Sequence, residues 1–341
     1  MTRLLQAIGG AEHGGAEAFF ERLAAALHRA GEDQAILMRQ QAPAARLRAL
    51  GLDVREARFG GPLDLLTRLA FRRRLAALRP RLVLTWMSRA TLLCPRGEFV
   101  HVARLGGYYD LKRYAACDHL IGNTRDLVES FKRQGWPENR VHYLPNFVDS
   151  EAGRPLPRAA LATPEGVPLA LALGRLHENK GFDTLIAALA QVPGLHLWLA
   201  GEGPLRAALE RQIAEAGLGG RVRLLGWRRD VADLLASADF LVCPSRHEPL
   251  GNVVIEGWAA GLPVLAAASV GPAALIRDGE TGFLAPIDDV GALAAAMDRL
   301  ARDAALRARL GAAGRAAYEA EFTEAIVVAR YRALFDRLAA A

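Results

Sequence analysis

The stretch DFLVCPSRHEPLGNVVIEGWAAG, residues 239–261, joins an apolar run ending in Pro-Ser to a helical pattern that begins near Gly251. A short, continuous apolar run bounded by turn residues reads as a strand buried on both faces. A buried strand that feeds a helix through a polar loop is the building unit of open parallel α/β sheets, which bind ligands beyond the carboxyl ends of their strands. The amides of Gly251, Asn252 and Val253, in the first turn of that helix, would point back toward the strand end and form an anion site. Glu248 lies before the helix and Glu256 more than one turn into it, so the two carboxylates would meet a ligand from different heights. A carboxylate accepts two hydrogen bonds from a vicinal diol, which suits a sugar on one glutamate and a ribose on the other. One capping acid and one solvated acid is the alternative.

The same alternation extends in both directions. RLLQAI, QAILM, RLVLTW, EFVHVA, DHLIGN and RVHYLP read as strands in the first half, with helical patterns such as AEAFFERLAAALHRAG and TRDLVESFKRQG between them. Pro145, Pro155, Pro157, Pro164 and Pro168 then crowd one stretch, which marks a boundary. Beyond it PLALALG, LHLWLAG, RVRLLG, DFLVCPS and PVLAAAS are strands, each followed by a helical segment. The expectation is α/β, with one doubly wound domain over residues 1–150 and a second over 151–322. A helix over 323–341 is expected to cross back to the first domain.

A chain of 341 residues suits two cores better than one. Cys94, Cys117 and Cys243 are widely spaced and lack a CxxC or histidine partner, which supports neither a disulfide framework nor a zinc site. The opening MTRLLQAIGG has too short an apolar run for a signal peptide, and a cytoplasmic protein is expected. Charge is uneven: residues 1–150 hold 23 Lys and Arg against 15 Asp and Glu, and residues 151–341 hold 20 against 22. The basic half should meet something anionic, whether nucleic acid, a phosphorylated ligand or a membrane, unless its surface is simply basic throughout.

Two further loops follow strands. GGAEHGGAE, residues 9–17, carries Gly14 and Gly15, where a backbone without side chains admits close approach of a ligand; a glycine turn with no ligand is the other reading. It is not G-x-G-x-x-G, and the second strand ends in Arg39 rather than an acid, so a dinucleotide cofactor is not indicated. GRLHENKGF, residues 174–182, brings Arg175 and Lys180 toward one anionic group, for which a diphosphate is the obvious guest; two solvated cations are the alternative. No Walker A pattern occurs. In PLDLLTRLAFRRRLAALRPR, residues 62–81, one apolar arc of Leu65, Leu66, Leu69, Ala70 and Ala76 is expected to pack on the sheet. A second arc of Phe71, Leu75 and Leu78, bordered by arginines, would face an anionic membrane surface or a neighbouring element.

Taken together these motifs resemble the retaining glycosyltransferases of family 4, which have two Rossmann-like domains in the GT-B arrangement, facing across a cleft. Glu248 and Glu256 match the family's E-x7-E; Gly174-Arg175-Leu176 with Lys180-Gly181 matches its G-R-L-x-x-x-K-G; Gly14-Gly15 matches its amino-terminal glycine loop. ENRVHYLPNFVD and GLPVLAAASVGPAALIRDGETGFL match its interdomain and closing segments, although Ala273 and Ala274 stand where an acid is common. The resemblance implies that Glu248 holds the donor sugar, Glu256 the ribose, and Arg175 and Lys180 the diphosphate, helped by the amides of Gly251–Val253 and by Gly15. His101, read at a strand end, would be the histidine near the reacting sugar, although a lone histidine there is more often structural.

The resemblance also implies a UDP- or GDP-sugar donor, an acceptor hydroxyl on an envelope glycan or a lipid-linked glycan, and a peripheral position on the inner face of the cytoplasmic membrane. No nucleic-acid partner is expected. No D-x-D is present, and the developing phosphate charge would be met by fixed cations and helix amides, so no metal and no cofactor is expected. A nucleotide-sugar epimerase on the same plan, or a silent nucleotide-sugar-binding protein, are the competing readings.

Overall fold

The computed structural model describes residues 4–10, 15–61, 63–148 and 151–340. The chain divides into one unit of Met1–Phe147 with Glu324–Ala341 and a second of Val148–Thr323.

In the first unit, β1 (Leu4–Ile8), β2 (Gln34–Arg39), β3 (Asp53–Ala57), β4 (Leu82–Trp86), β5 (Val100–Leu105), β6 (His119–Gly122) and β7 (Val141–Tyr143) form one sheet. The order is β3-β2-β1-β4-β5-β6-β7 and every pairing is parallel. Between the strands run α1 (Gly15–Arg29), α2 (Ala42–Ala49), α3 (Leu65–Leu78), α4 (Met87–Leu93) and α5 (Arg125–Arg133). All five residues of β1 and of β4 are buried, as helices on both faces of a parallel sheet require. The strand order reverses between β1 and β4, and the loops leaving those two strands therefore flank the switch point where such sheets take ligands.

The second unit repeats the plan. Strands β8 (Leu169–Leu173), β9 (His196–Ala200), β10 (Val222–Gly226), β11 (Phe240–Cys243), β12 (Val264–Ala267) and β13 (Phe283–Ala285) lie in the order β10-β9-β8-β11-β12-β13, all parallel. They are covered by α6 (Phe182–Ala190), α7 (Arg206–Glu215), α8 (Val231–Ser237), α9 (Asn252–Ala259), α10 (Val270–Leu275), α11 (Val290–Arg302) and α12 (Ala304–Glu321). Helix α13 (Glu324–Ala340) then belongs to the first unit, as expected for a terminal helix that crosses back. It buries Val327, Val328, Tyr331, Leu334, Phe335 and Leu338 in the same core as Phe19, Phe20, Leu84 and Trp86.

Three local expectations are corrected. Strand β3, DVREA, is not read as a strand from the sequence, because this edge strand buries only Val54 and carries three charged residues in five positions. Strand β13 also went unread as a strand; its three residues, FLA, are too few for a periodic signal. In α3 the arcs are exchanged: Thr67, Phe71 and Leu78 are buried, whereas Leu65, Leu66 and Leu69 face solvent. Phe71 packs edge-on against buried Phe59, and the Thr67 hydroxyl accepts the Phe59 amide at 2.9 Å, which fixes the rotation of the helix.

Candidate functional site

Within the second unit the candidate residues converge at the carboxyl edge of the sheet. Strand β8 delivers Gly174 and Arg175; a 3₁₀ turn, Glu178–Lys180, follows; and Gly181 starts α6 with φ +63°. A side chain at Gly181 would place its Cβ 2.2 Å from the Pro244 carbonyl oxygen, so glycine is required for the loop to lie against the end of β11. That approach sets Lys180 Nζ 2.5 Å from Glu248 Oε2. Both side chains are largely withdrawn from water, where a charge-assisted bond strengthens. The second oxygen of Glu248 accepts the Gly251 amide at 3.4 Å. Gly251 has φ +86° and caps α9, with Asn252 and Val253 in the first turn as expected. Glu256 is half-buried in the second turn of the same helix. Arg175 is exposed and has no hydrogen-bond or ion-pair partner among the described residues, so its guanidinium is available to an anion.

The sequence reading missed what holds this arrangement. Arg246 donates to both oxygens of Asp183 at 2.8 and 2.6 Å, to Asp288 at 2.7 Å and to the Glu178 carbonyl at 2.7 Å. Asp183 first and Asp288 second push the guanidinium pKa up. Arg246 thereby ties the Lys180 loop to the loop after β13, and its only sequence signal is its place two residues before Glu248. Gly271, in the segment that departs from the family pattern, donates its amide to the Glu248 carbonyl at 2.8 Å. A Cβ there would lie 2.5 Å from the Leu250 carbonyl carbon, so this glycine seats the backbone of the Glu248 loop. Ser269, just before it, has a buried hydroxyl with no partner among the described residues. No sequence feature pointed to it.

In the first unit the placements are less concerted. Gly14 lies outside the described residues. Gly15 is the first residue of α1, and the space where its Cβ would stand is open, so backbone there is approachable. Met87, directly after β4 at the switch point, has φ +59°, a left-handed conformation that costs energy in a residue with a side chain. Arg89 donates to the Gly9 carbonyl at 3.0 Å and so braces the loop after β1. His101 is not at the carboxyl end of a strand: it is the second residue of β5, at the amino end, and only 5% exposed. Its Nε2 lies 2.9 Å from the Thr85 hydroxyl and its amide donates to Asp118 at 2.8 Å, while burial holds its pKa down at about 4. Those are the contacts of a core histidine.

Among the described residues, no group of three or more His, Cys, Asp or Glu could hold a metal ion, and no helix is long and apolar enough to cross a membrane.

A strand-end carboxylate paired with a lysine, an exposed arginine on the same loop and a second carboxylate one turn into the next helix suit a phosphorylated sugar. Comparison with known proteins agrees. The family model described as "Glycosyltransferase Family 4" matches residues 13–152, and that described as "Glycosyl transferases group 1" matches residues 167–303. LpsE of Rhizobium meliloti, a lipopolysaccharide core biosynthesis glycosyltransferase, is 35% identical over 323 residues, covering 93% of this chain and 94% of that protein. The chain is a family 4 glycosyltransferase. Rhizobium meliloti LpsD, another lipopolysaccharide core biosynthesis glycosyltransferase, is 35% identical to this glycosyltransferase, with 95% of each covered. HepE of Anabaena, crystallised with UDP and glucose, superposes with a TM-score of 0.82 at 20% identity over 99% of this chain and 100% of that one, which shows the shared GT-B fold. The glycosyltransferase thus belongs to a retaining family that uses nucleotide sugars, and it is related to enzymes of lipopolysaccharide core synthesis.

Proposed function

We propose that the protein is a metal-independent hexosyltransferase that moves its sugar from a UDP- or GDP-sugar to a hydroxyl of an envelope glycan or lipid-linked glycan, on the cytoplasmic side of the membrane. The Val148–Thr323 unit takes the donor and the Met1–Phe147 unit the acceptor. The observation that carries the reading is the Lys180–Glu248 pair at the amino end of α9, with Glu256 farther along the same helix. In this reading Lys180 and Arg175 receive the diphosphate, and the first-turn amides of α9 share its charge. Glu248 then accepts sugar hydroxyls, and Glu256 those of the ribose. The leaving diphosphate needs charge stabilisation as the glycosidic bond breaks, and Lys180 with Arg175 supplies it without a metal. HepE binds UDP and glucose, which supports a donor of the same class; the names of LpsE and LpsD support a lipopolysaccharide core acceptor.

The test is transfer of labelled hexose from a panel of UDP- and GDP-sugars to core oligosaccharide, with and without EDTA. Transfer should survive chelation. Lys180→Ala should cost about 1.5–3 kcal/mol in donor affinity or turnover, the loss of a charge-assisted bond. Glu256→Gln should mainly raise the donor KM, and Glu248→Ala mainly lower kcat. Activity abolished by EDTA and restored by a divalent ion would refute metal independence; a new epimer from donor alone would favour an epimerase.

A further inference from the structure

The carboxyl ends of β5 and β6 hold a buried side chain with nothing to bind. Asn123, directly after β6, is only 5% exposed, yet its side-chain amide has no hydrogen-bond partner among the described residues. A buried amide left unpaired costs free energy, so such a group is expected to cap a helix or to serve a ligand. Capping is already done by Thr124, whose hydroxyl accepts the Leu127 amide at 3.1 Å at the start of α5. The amide is also within reach. Leu105 pairs with Gly122 in the parallel register, which sets Gly106 beside Asn123. A Cβ on Gly106 would lie 3.5 Å from Asn123 Nδ2 and meet nothing else within 4 Å beyond its chain neighbours. The missing side chain leaves the space over the amide open.

The same strand ends carry an aromatic face. Tyr108 is 46% exposed, and among the described Phe, Tyr and Trp residues of this unit it alone stands in solvent. Its ring is not loose. The hydroxyl donates to Asp126 in the first turn of α5, and Arg133 lies 3.9 Å from the other oxygen of that carboxylate. The ring is thus held between the loop after β5 and the helix that follows Asn123, so it has little rotamer freedom left to lose on binding. Tyr109, the next residue, turns inward instead, its ring 6.2 Å from that of buried Tyr114. An aromatic face beside an amide is complementary to a pyranose. A sugar ring offers a face of C–H groups, which an electron-rich π face attracts, and adjacent hydroxyls, which one amide meets as donor and acceptor together. Neither Tyr108 nor Asn123 is charged, which argues for a neutral ring rather than a phosphate.

We propose that the carboxyl ends of β5 and β6 bind a pyranose of the acceptor glycan, its C–H face stacked on Tyr108 and its hydroxyls bonded to the Asn123 amide. The identity of this ligand as the acceptor rests on the transferase reading of the donor site. Binding is measured without donor, by saturation-transfer difference NMR on lipopolysaccharide core oligosaccharide released by mild acid, and acceptor and donor KM are measured in the transfer assay. The wild type should bind the oligosaccharide. Asn123→Ala and Tyr108→Ala should each weaken that binding and raise the acceptor KM about tenfold with the donor KM as in wild type, whereas Tyr108→Phe, which keeps the ring, should stay within about threefold. Gly106→Ala has room for its methyl group but covers the amide, so it should weaken oligosaccharide binding about as much as Asn123→Ala while melting as the wild type does. Binding by the wild type that the variants lose, with no transfer in any of them, would refute the transferase reading and leave the sugar subsite standing. Transfer with an acceptor KM within about twofold of wild type in both alanine variants would overturn the subsite and leave the transferase standing. A wild type that binds no oligosaccharide would overturn it as well.

Discussion

His101 shows how one residue's surroundings decide its role. Its ring is buried against Thr85, Phe99 and Cys117, with Asp118 the facing charge, and burial holds its pKa at about 4 against an ordinary value of 6.5. Between those two values the unfolded chain binds the proton and the folded one does not, so stability is complete above about pH 6.5 and falls as the pH drops toward 4. The contribution of His101 to that loss between pH 7 and 5 should be about 2 kcal/mol. Urea denaturation of wild type and His101→Asn at both pH values measures it: the variant should lose less stability on acidification. Equal losses would show that the ring is not held neutral. A histidine within V-H-V-A carries the same letters whether it is core or catalytic; only the start of the strand, one residue earlier, separates the two. The E-x7-E pair was legible because its spacing straddles a strand-to-helix turn that the apolar pattern marks on both sides. Arg246 was not, because its partners Asp183 and Asp288 lie far away in sequence.

At the scale of elements, continuous apolar runs betrayed the buried strands, while rotation about a helix axis was hidden. Helix α3 offered two apolar arcs, and a bulky aromatic with a hydrogen-bonded threonine chose between them. Helix α12 hid a second feature in its small residues. It crosses α9, the helix that carries Glu256, where a Cβ on Gly314 would stand 2.3 Å from Trp258 Cδ1 and one on Gly311 would stand 2.2 Å from the Gly261 carbonyl oxygen. Trp258 is buried and its indole donates to the Thr281 carbonyl at 2.8 Å, so the ring has nowhere to go. Helix propensity alone says that Gly314→Ala stabilises by about 1 kcal/mol. The crossing says the reverse, a loss of about 1–3 kcal/mol from overpacking, together with weaker binding of the proposed nucleotide-sugar donor as α9 shifts. Thermal melting decides by sign: a higher melting temperature for Gly314→Ala would mean that the close crossing is not required.

Across the whole molecule, the chain leaves the first unit after Phe147 and returns at Glu324. Arg104 bonds to residues beside both crossings. Only 2% exposed, its guanidinium lies 4.6 Å from the ring centres of Phe19 and Trp86, donates to the Tyr331 hydroxyl at 2.8 Å and also bonds Asn146. No carboxylate neutralises it among the described residues; aromatic faces and neutral acceptors hold the charge instead. The return of the last helix was suggested only by what terminal helices of two-domain folds can do, and a buried arginine in a strand reading V-A-R-L gave no sign that it would receive that helix. Two consequences follow from the same contact set. Tyr331→Phe removes a hydrogen bond to a buried charge and should cost about 1.5–3 kcal/mol. Deleting residues 324–341 removes six buried apolar side chains, about 10 kcal/mol of burial, which is comparable with the stability of an entire domain. The truncated protein should therefore fail to fold its first unit and collect in the insoluble fraction, whereas the tyrosine variant should stay soluble with a lower urea midpoint. A soluble truncated chain with the wild-type midpoint would show that α13 is an appendage rather than a part of that core.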